Sequence, residues 1–276
     1  MSADLPVHRI RPAGERARPL LTELFRYREL LAFLIWRSVK VRYAQSALGV
    51  GWAVVQPVAQ MVVFTLIFGK LVGVESDGAP YAVFTFVALV PWTYFSNALT
   101  QGTQSLSSNA GLLSKVYFPR VVLPLSEIGA RSVDFLIAFV ILLGLVLTYR
   151  IIPNTGVLVL PLLVIIIVVA AAGLSLGLSA LAIQYRDINH AASFGVQLLM
   201  YAAPVVYPYS AVPDSVRLFY ALNPMVGVVE GFRAAILGTR DMPWLEIGLG
   251  GLTATVLLIA GSIYFNSREH LFADVA

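Results

Sequence analysis

Apolar residues gather in six long runs along this chain, at about 50–73, 81–102, 132–149, 157–183, 191–207 and 244–265. A helix rises about 1.5 Å per residue, so ~20 apolar residues cross a hydrocarbon core ~30 Å thick. Each run reaches or approaches that length. Val157 to Ile183 holds no charged residue at all, which a buried helix of a soluble protein rarely sustains over such a length. The pattern predicts an all-α polytopic membrane protein with six transmembrane helices. Spans three and four read as a hairpin closed by the turn signal Ile152-Pro153-Asn154-Thr155-Gly156.

The segments between the runs carry patterns of their own. From Leu24 to Tyr43, Leu24, Tyr27, Leu31, Leu34, Ile35 and Val39 share one helical face, while Arg26, Arg37 and Lys40 gather opposite. This predicts an N-terminal amphipathic interfacial helix on the inner membrane surface; a solvated helix packed on a soluble partner is the alternative. Arg28 and Arg42 interrupt the apolar stripe, and their long stems suit snorkelling at an interface. After span two, Ser108-Asn109 offers an N-cap and Pro119 a stop, which predicts a short helix over 109–117. The stretch 208–243 holds two weakly apolar runs, Val216 to Leu222 and Met225 to Leu237, split by Asn223-Pro224. Neither run spans a bilayer, so two short re-entrant or interfacial helices between spans five and six are expected, against an ordinary extracellular loop. The chain divides into a flexible cytoplasmic extension at 1–21, the interfacial helix within 22–48, a six-span domain over 49–266 and a cytoplasmic tail at 267–276.

Charge sets the orientation. Fourteen of the Lys and Arg residues fall on the side holding both termini and five on the other, so the positive-inside bias places both termini in the cytoplasm. The net charge of +4 then reflects topology and contact with anionic membrane lipids rather than nucleic acid. The chain has no cysteine, which removes disulfide, thiolate and cysteine-metal chemistry.

Catalytic and metal chemistry find little footing. His8, His190 and His270 lie far apart, and neither a HExxH pair, a GxSxG elbow nor a GxxxxGK[ST] loop occurs. No metal site, catalytic residue or resident cofactor is expected. Asp134 is the one carboxylate placed inside a span, three residues after Arg131, which itself follows Glu127 by four. Helical spacing makes these neighbours, as an anchoring ion pair or as part of a proton relay. Glu230 and Arg233 are likewise three apart, suited to a structural clasp or to a gate. Aromatic residues cluster at 81–86, 92–95 and 201–209. They suit an interfacial belt, or a conduit wall on which sugars stack; Tyr81, Phe84, Trp92, Tyr94, Phe95, Tyr201 and Tyr207 are the wall candidates.

The order of several short motifs adds a family resemblance. Lys40-Val41-Arg42-Tyr43, Ser46, Leu48-Gly49, Trp52 and Pro57 lead into span one. Pro91-Trp92 and Phe95-Ser96-Asn97 follow in span two, then Lys115-Val116-Tyr117-Phe118-Pro119-Arg120, Tyr185-Arg186-Asp187-Ile188, Pro204-Val205 with Tyr207, and Asn223-Pro224. In this order the chain resembles permease subunits of ABC-2-type exporters of polysaccharides and polyol phosphates, the O-antigen, capsule and teichoic acid exporters.

The resemblance implies a homodimer in the inner (cytoplasmic) membrane, with two copies of a separate ATP-binding subunit that supply ATP and Mg and drive a lipid-linked, O-antigen-like glycan outward. It makes the helix at 109–117 a coupling helix seated in the ATPase, with Asn109, Leu112, Leu113, Lys115, Tyr117, Phe118 and Arg120 as coupling residues and Arg37, Lys40, Arg42 and Tyr43 alongside on the interfacial helix. Spans one, two and five are then expected to line the conduit, and Asn223, Pro224, Glu230 and Arg233 to belong to an outer gate. Teichoic acid, capsule, or a smaller lipid or drug is the alternative cargo. A membrane-embedded polyprenyl-sugar transferase is the alternative activity; it needs boundary carboxylates or histidines that this chain scarcely supplies.

Overall fold

The computed structural model describes residues 25–44, 49–113, 118–269 and 272. The extension at 1–21 and the coupling candidates Lys115 and Tyr117 lie outside the described residues. Among those described, every regular element is helical. In chain order these are α1 (Arg28–Tyr43); α2 (Trp52–Phe64), continued by π-helical turns at Thr65–Val72; α3 (Tyr81–Ser108); the single turn α4 (Ala110–Leu113); α5 (Val122–Thr148); α6 (Leu160–Ala182); α7 (Asp187–Tyr201); α8 (Asp214–Tyr220); α9 (Pro224–Leu237); and α10 (Trp244–Arg268).

Among the described residues, five helical stretches are long and apolar enough to cross a membrane: Gly49–Val72, Tyr81–Ser108, Val122–Thr148, Thr155–Ala182 and Trp244–Arg268. They coincide with the predicted spans one to four and six. The predicted fifth span is different. Its helix α7 has only 15 residues, about 22 Å of rise, and the chain then bends through 202–207. Pro204 explains the break, because it lacks an N–H and biases Ala203 away from helical backbone. Span three also begins earlier than its hydropathy suggests, at Val122, so that Glu127, Arg131 and Asp134 all ride on helix α5.

Burial ranks the spans. Of the apolar window of α3, 78% is buried inside the chain, against 6% for Gly49–Val72; α3 is therefore the axis of the bundle and span one its rim. On the far side of the axis, α6 and α10 approach through glycines. A Cβ on Gly261 would overlap the carbonyl oxygen of Gly173, and one on Gly173 would strike the backbone of Leu257 and Leu258. Small residues at such a crossing let two membrane helices pack backbone to backbone.

The two ends of the bundle differ. At the basic end, Leu34 of α1, Leu113 of α4, Phe118, the start of α5, and Phe265 and Phe272 near the C-terminus form one buried cluster. At the opposite end, α9 is buried along its whole length from Met225 to Leu237, while α8 has no buried residue. Asn223 caps α9 by accepting from Met225 N at 3.1 Å, Pro224 occupies its first turn, and Gly238 ends it in the left-handed conformation.

Candidate functional site

The bend after α7 would leave backbone carbonyls without partners at membrane depth, where an unsatisfied polar group costs several kcal/mol, on the order of 2–7. Tyr207 of the bend itself and side chains from three other places fill that need. Tyr207 Oη donates to the Tyr201 carbonyl at 2.7 Å and Asn223 Nδ2 to that of Ala202 at 2.8 Å. Arg233 donates to the carbonyls of Val205 at 2.9 Å and Tyr207 at 3.3 Å, and Tyr81 Oη to that of Val206 at 2.6 Å. Tyr207 and Tyr220 hydroxyls meet at 2.7 Å. The break in the helix is thus held open by a shell of protein donors.

Arg233 is the hub of that shell. It is 3% exposed, its guanidinium lies 3.6 Å above the ring of Phe84, and it pairs with Glu230 at 2.8 Å. Glu230 is 5% exposed and also meets Arg240 at 3.6 Å. Spacing of three along α9 puts both charges on one face, and the fork geometry of Arg lets one residue serve a carboxylate and two carbonyls at once. The gate candidates Asn223, Pro224, Glu230 and Arg233 and the wall candidates Tyr81, Phe84 and Tyr207 therefore converge on one place, around the bend. Sequence reasoning found these residues, and missed what joins them, because the carbonyls they serve are not legible from side-chain identities.

The remaining wall candidates lie elsewhere. Trp92, Tyr94 and Phe95 are buried within the chain on the axial helix, Trp92 packing on Phe95 with ring centres 5.8 Å apart and Tyr94 on Phe135 at 5.5 Å. Tyr201 is exposed at the end of α7.

At the basic end α1 lies along α5. The predicted stripe Tyr27, Leu31, Leu34, Ile35 and Val39 faces the bundle, and Arg26, Arg37 and Lys40 face away. Arg42 corrects the snorkelling expectation: it turns inward to Asp134 at 2.8 Å, with Glu127 at 3.9 Å. Arg131 meets the same Asp134 at 3.2 Å, Ser38 donates to Glu127 at 2.7 Å, and Tyr43 donates its hydroxyl to Asp134. Burial, then the bond to and charge of Asp134, push the Tyr43 phenol up to about 12.

Of the coupling candidates, Leu113 and Phe118 are buried in the chain's own basic-end cluster and Leu112 packs against it. Asn109 ends α3, its side chain donating to the Ser105 carbonyl at 2.9 Å. Arg120 donates to the carbonyl of Glu269 and stacks over Phe272 at 5.8 Å. Gly111 is exposed, between the half-buried Ala110 and Leu112.

The profile of the ABC-2 type transporter family matches residues 29–237. This chain belongs to that family. It is 34% identical to the O-antigen export system permease protein of Myxococcus xanthus over 257 residues, covering 92% of this chain and 98% of the relative. An O-antigen export system permease protein of Klebsiella pneumoniae is 28% identical, over 90% of this chain and 95% of its own. The polysialic acid transport protein of Escherichia coli is 21% identical, over 86% and 92%. As an ABC-2 type transporter with five long apolar helices, the chain is a multi-pass membrane protein.

Proposed function

We propose that this chain is the permease subunit of an exporter that moves a lipid-linked, O-antigen-like polysaccharide from the cytoplasm to the outer face of the inner membrane. The observation that carries the reading is the match to the Myxococcus permease over 92% of this chain and 98% of that relative. A separate ATP-binding subunit, in two copies, drives the transport and binds the ATP and Mg. The basic end faces the cytoplasm with both termini, and α4 is where the ATPase couples. Two copies of the chain frame the path; the thinly packed span one and the exposed Tyr201 supply apolar and aromatic surface for that pairing. The clasped bend and α9 close the path on the outer side. The weaker likeness to the polysialic acid transporter ranks capsule second as cargo.

Complementation tests this. In a strain lacking its own O-antigen permease, this chain co-expressed with its cognate ATP-binding subunit restores surface O-antigen. Failure to restore it, with both proteins present in the membrane at wild-type amounts, would contradict the proposal.

A further inference from the structure

The short helix α4 is four residues long, Ala110–Leu113, and one helical turn is not stable by itself. Its place in the molecule is therefore set by what it is tied to. One tie runs along the chain: the N–H groups of Leu112 and Leu113 donate to the Asn109 carbonyl at 2.9 and 3.2 Å, directly after α3. The other lies beneath it. Leu113 enters the buried basic-end cluster together with Phe118, Leu34 of α1, Phe265 of α10, and Phe272, which follows α10. Phe272 is fully buried there, its ring edge-on to Phe265 with centres 5.2 Å apart.

Between α4 and α5 the chain is fastened to the same segment by Arg120. Its guanidinium donates to the carbonyl of Glu269, at the C-terminal end of α10. Carbonyls in the last turn of a helix have no partner within it and form the negative end of its dipole, so a cation is favoured there. The same guanidinium lies over the ring of Phe272, 5.8 Å from its centre, within the range at which cation and ring attract. One planar group thus serves a carbonyl and an aromatic face together, a combination that suits Arg and not Lys. The ring has two effects at once. It fills the cluster in which Leu113 and Phe118 rest, and it limits Arg120 to the position that reaches α10.

We infer that Phe272 is a positioning residue for ATPase coupling. Packed beneath Arg120 and against Phe265, it fastens the chain around α4 to the end of α10, so that α4 is carried by two spans, by α3 through the backbone and by α10 through this contact. The inference rests on the reading that a separate ATPase couples at α4; the packing does not depend on it. Without the ring, α4 keeps its connection to α3 alone. A turn held on one side only spreads over many positions, a fraction of which offer the docking geometry, and apparent affinity falls by that fraction.

The chain has no cysteine, so Gly111→Cys takes a single nitroxide spin label on α4, where an added Cβ meets no described atom within 4 Å. Leu158→Cys, exposed at the opposite end of the bundle, is the control. Spectra are recorded on the full-length chain in phosphatidylcholine nanodiscs without ATPase, and capture of the cognate ATP-binding subunit is measured on the unlabelled chain. Phe272→Ala is expected to make the Gly111→Cys label markedly more mobile, to leave the Leu158→Cys label unchanged, and to weaken capture about tenfold. Phe272→Leu keeps bulk without the ring; it is expected to act in the same direction by less, and carries the same outcomes if Phe272→Ala fails to fold. Arg120→Met is expected to mobilise the Gly111→Cys label too, with little added by Phe272→Leu on top of it. An unchanged Gly111→Cys spectrum, or equal loosening at both labels, would overturn the inference and reduce Phe272 to core filling. So would wild-type capture by Phe272→Ala where Gly111→Glu weakens it. Capture unaffected by Gly111→Glu as well would instead remove the coupling from α4, while the hold of Phe272 on α4 stands or falls on the spectra alone.

Discussion

At the scale of single residues, two charged side chains were legible in the sequence as positions and not as roles. Arg233 stood out for its spacing from Glu230, yet its larger task, binding the carbonyls of Val205 and Tyr207, depends on a bend that only the folded backbone reveals. Its removal is expected to be severe. Arg233→Met leaves Glu230 with only the more exposed Arg240, 3.6 Å away, and frees two buried carbonyls, and breaking a buried pair this way costs about 3–5 kcal/mol. Thermal unfolding in detergent checks this: the variant should melt well below the wild type, with Arg233→Lys intermediate because it keeps the charge and loses the fork. Equal melting of Arg233→Met and wild type would remove Arg233 as the hub. Arg42 broke the expected amphipathic stripe because its partners, Glu127 and Asp134, are some 90 residues away in sequence. Tyr43 in the same cluster gives a pH test. Its native pKa is raised from 10.0 to about 12, so its stabilising bond to Asp134 is fully present below pH 10. As pH climbs from there through 12, the unfolded chain releases the proton first and the contribution is lost. The stability gap between wild type and Tyr43→Phe should be constant below pH 10 and close above it; a gap unchanged up to pH 12 would exclude the bond.

At the scale of elements, long apolar runs gave the spans well because lipid forces the backbone to satisfy itself within each helix. The shorter helix at 191–207 has the same origin: composition there is apolar enough, but Pro204 follows the end of α7 and protein donors replace the internal bonds beyond it. The Asn223-Pro224 boundary was legible from local capping chemistry, and the full burial of α9 was not, since it follows from close approach, with Gly227 lying against the backbone of Glu246. The short helix α4 separates packing from coupling. Leu113 belongs to the chain's core, 7% exposed, so Leu113→Asp should destabilise the basic end whether or not an ATPase is present. Gly111 is the cleaner probe, because an added Cβ there meets no described atom within 4 Å. Gly111→Glu is expected to leave the melting temperature of the isolated chain unchanged and to weaken ATPase capture at least tenfold, about 1.4 kcal/mol. Wild-type ATPase capture by Gly111→Glu would move the coupling surface away from α4.

At the scale of the molecule, one buried axis, α3, carries spans that differ widely in how much of them the single chain covers. A protein whose first span is 6% buried presents that surface to lipid or to a second copy, and a cargo as large as a polysaccharide requires more than the space inside one such bundle, whose helices pack ~8–10 Å apart. The most direct test of export is reconstitution. Proteoliposomes containing this chain and its ATP-binding subunit are loaded with a lipid-linked O-antigen precursor and its exposure is followed with a membrane-impermeant glycosidase on the side away from the ATPase. The account predicts that the glycan becomes cleavable there only when ATP is supplied, and not when the ATPase is omitted. Glycan that stays protected with ATP, in vesicles where the ATPase is bound and hydrolysing, would contradict it.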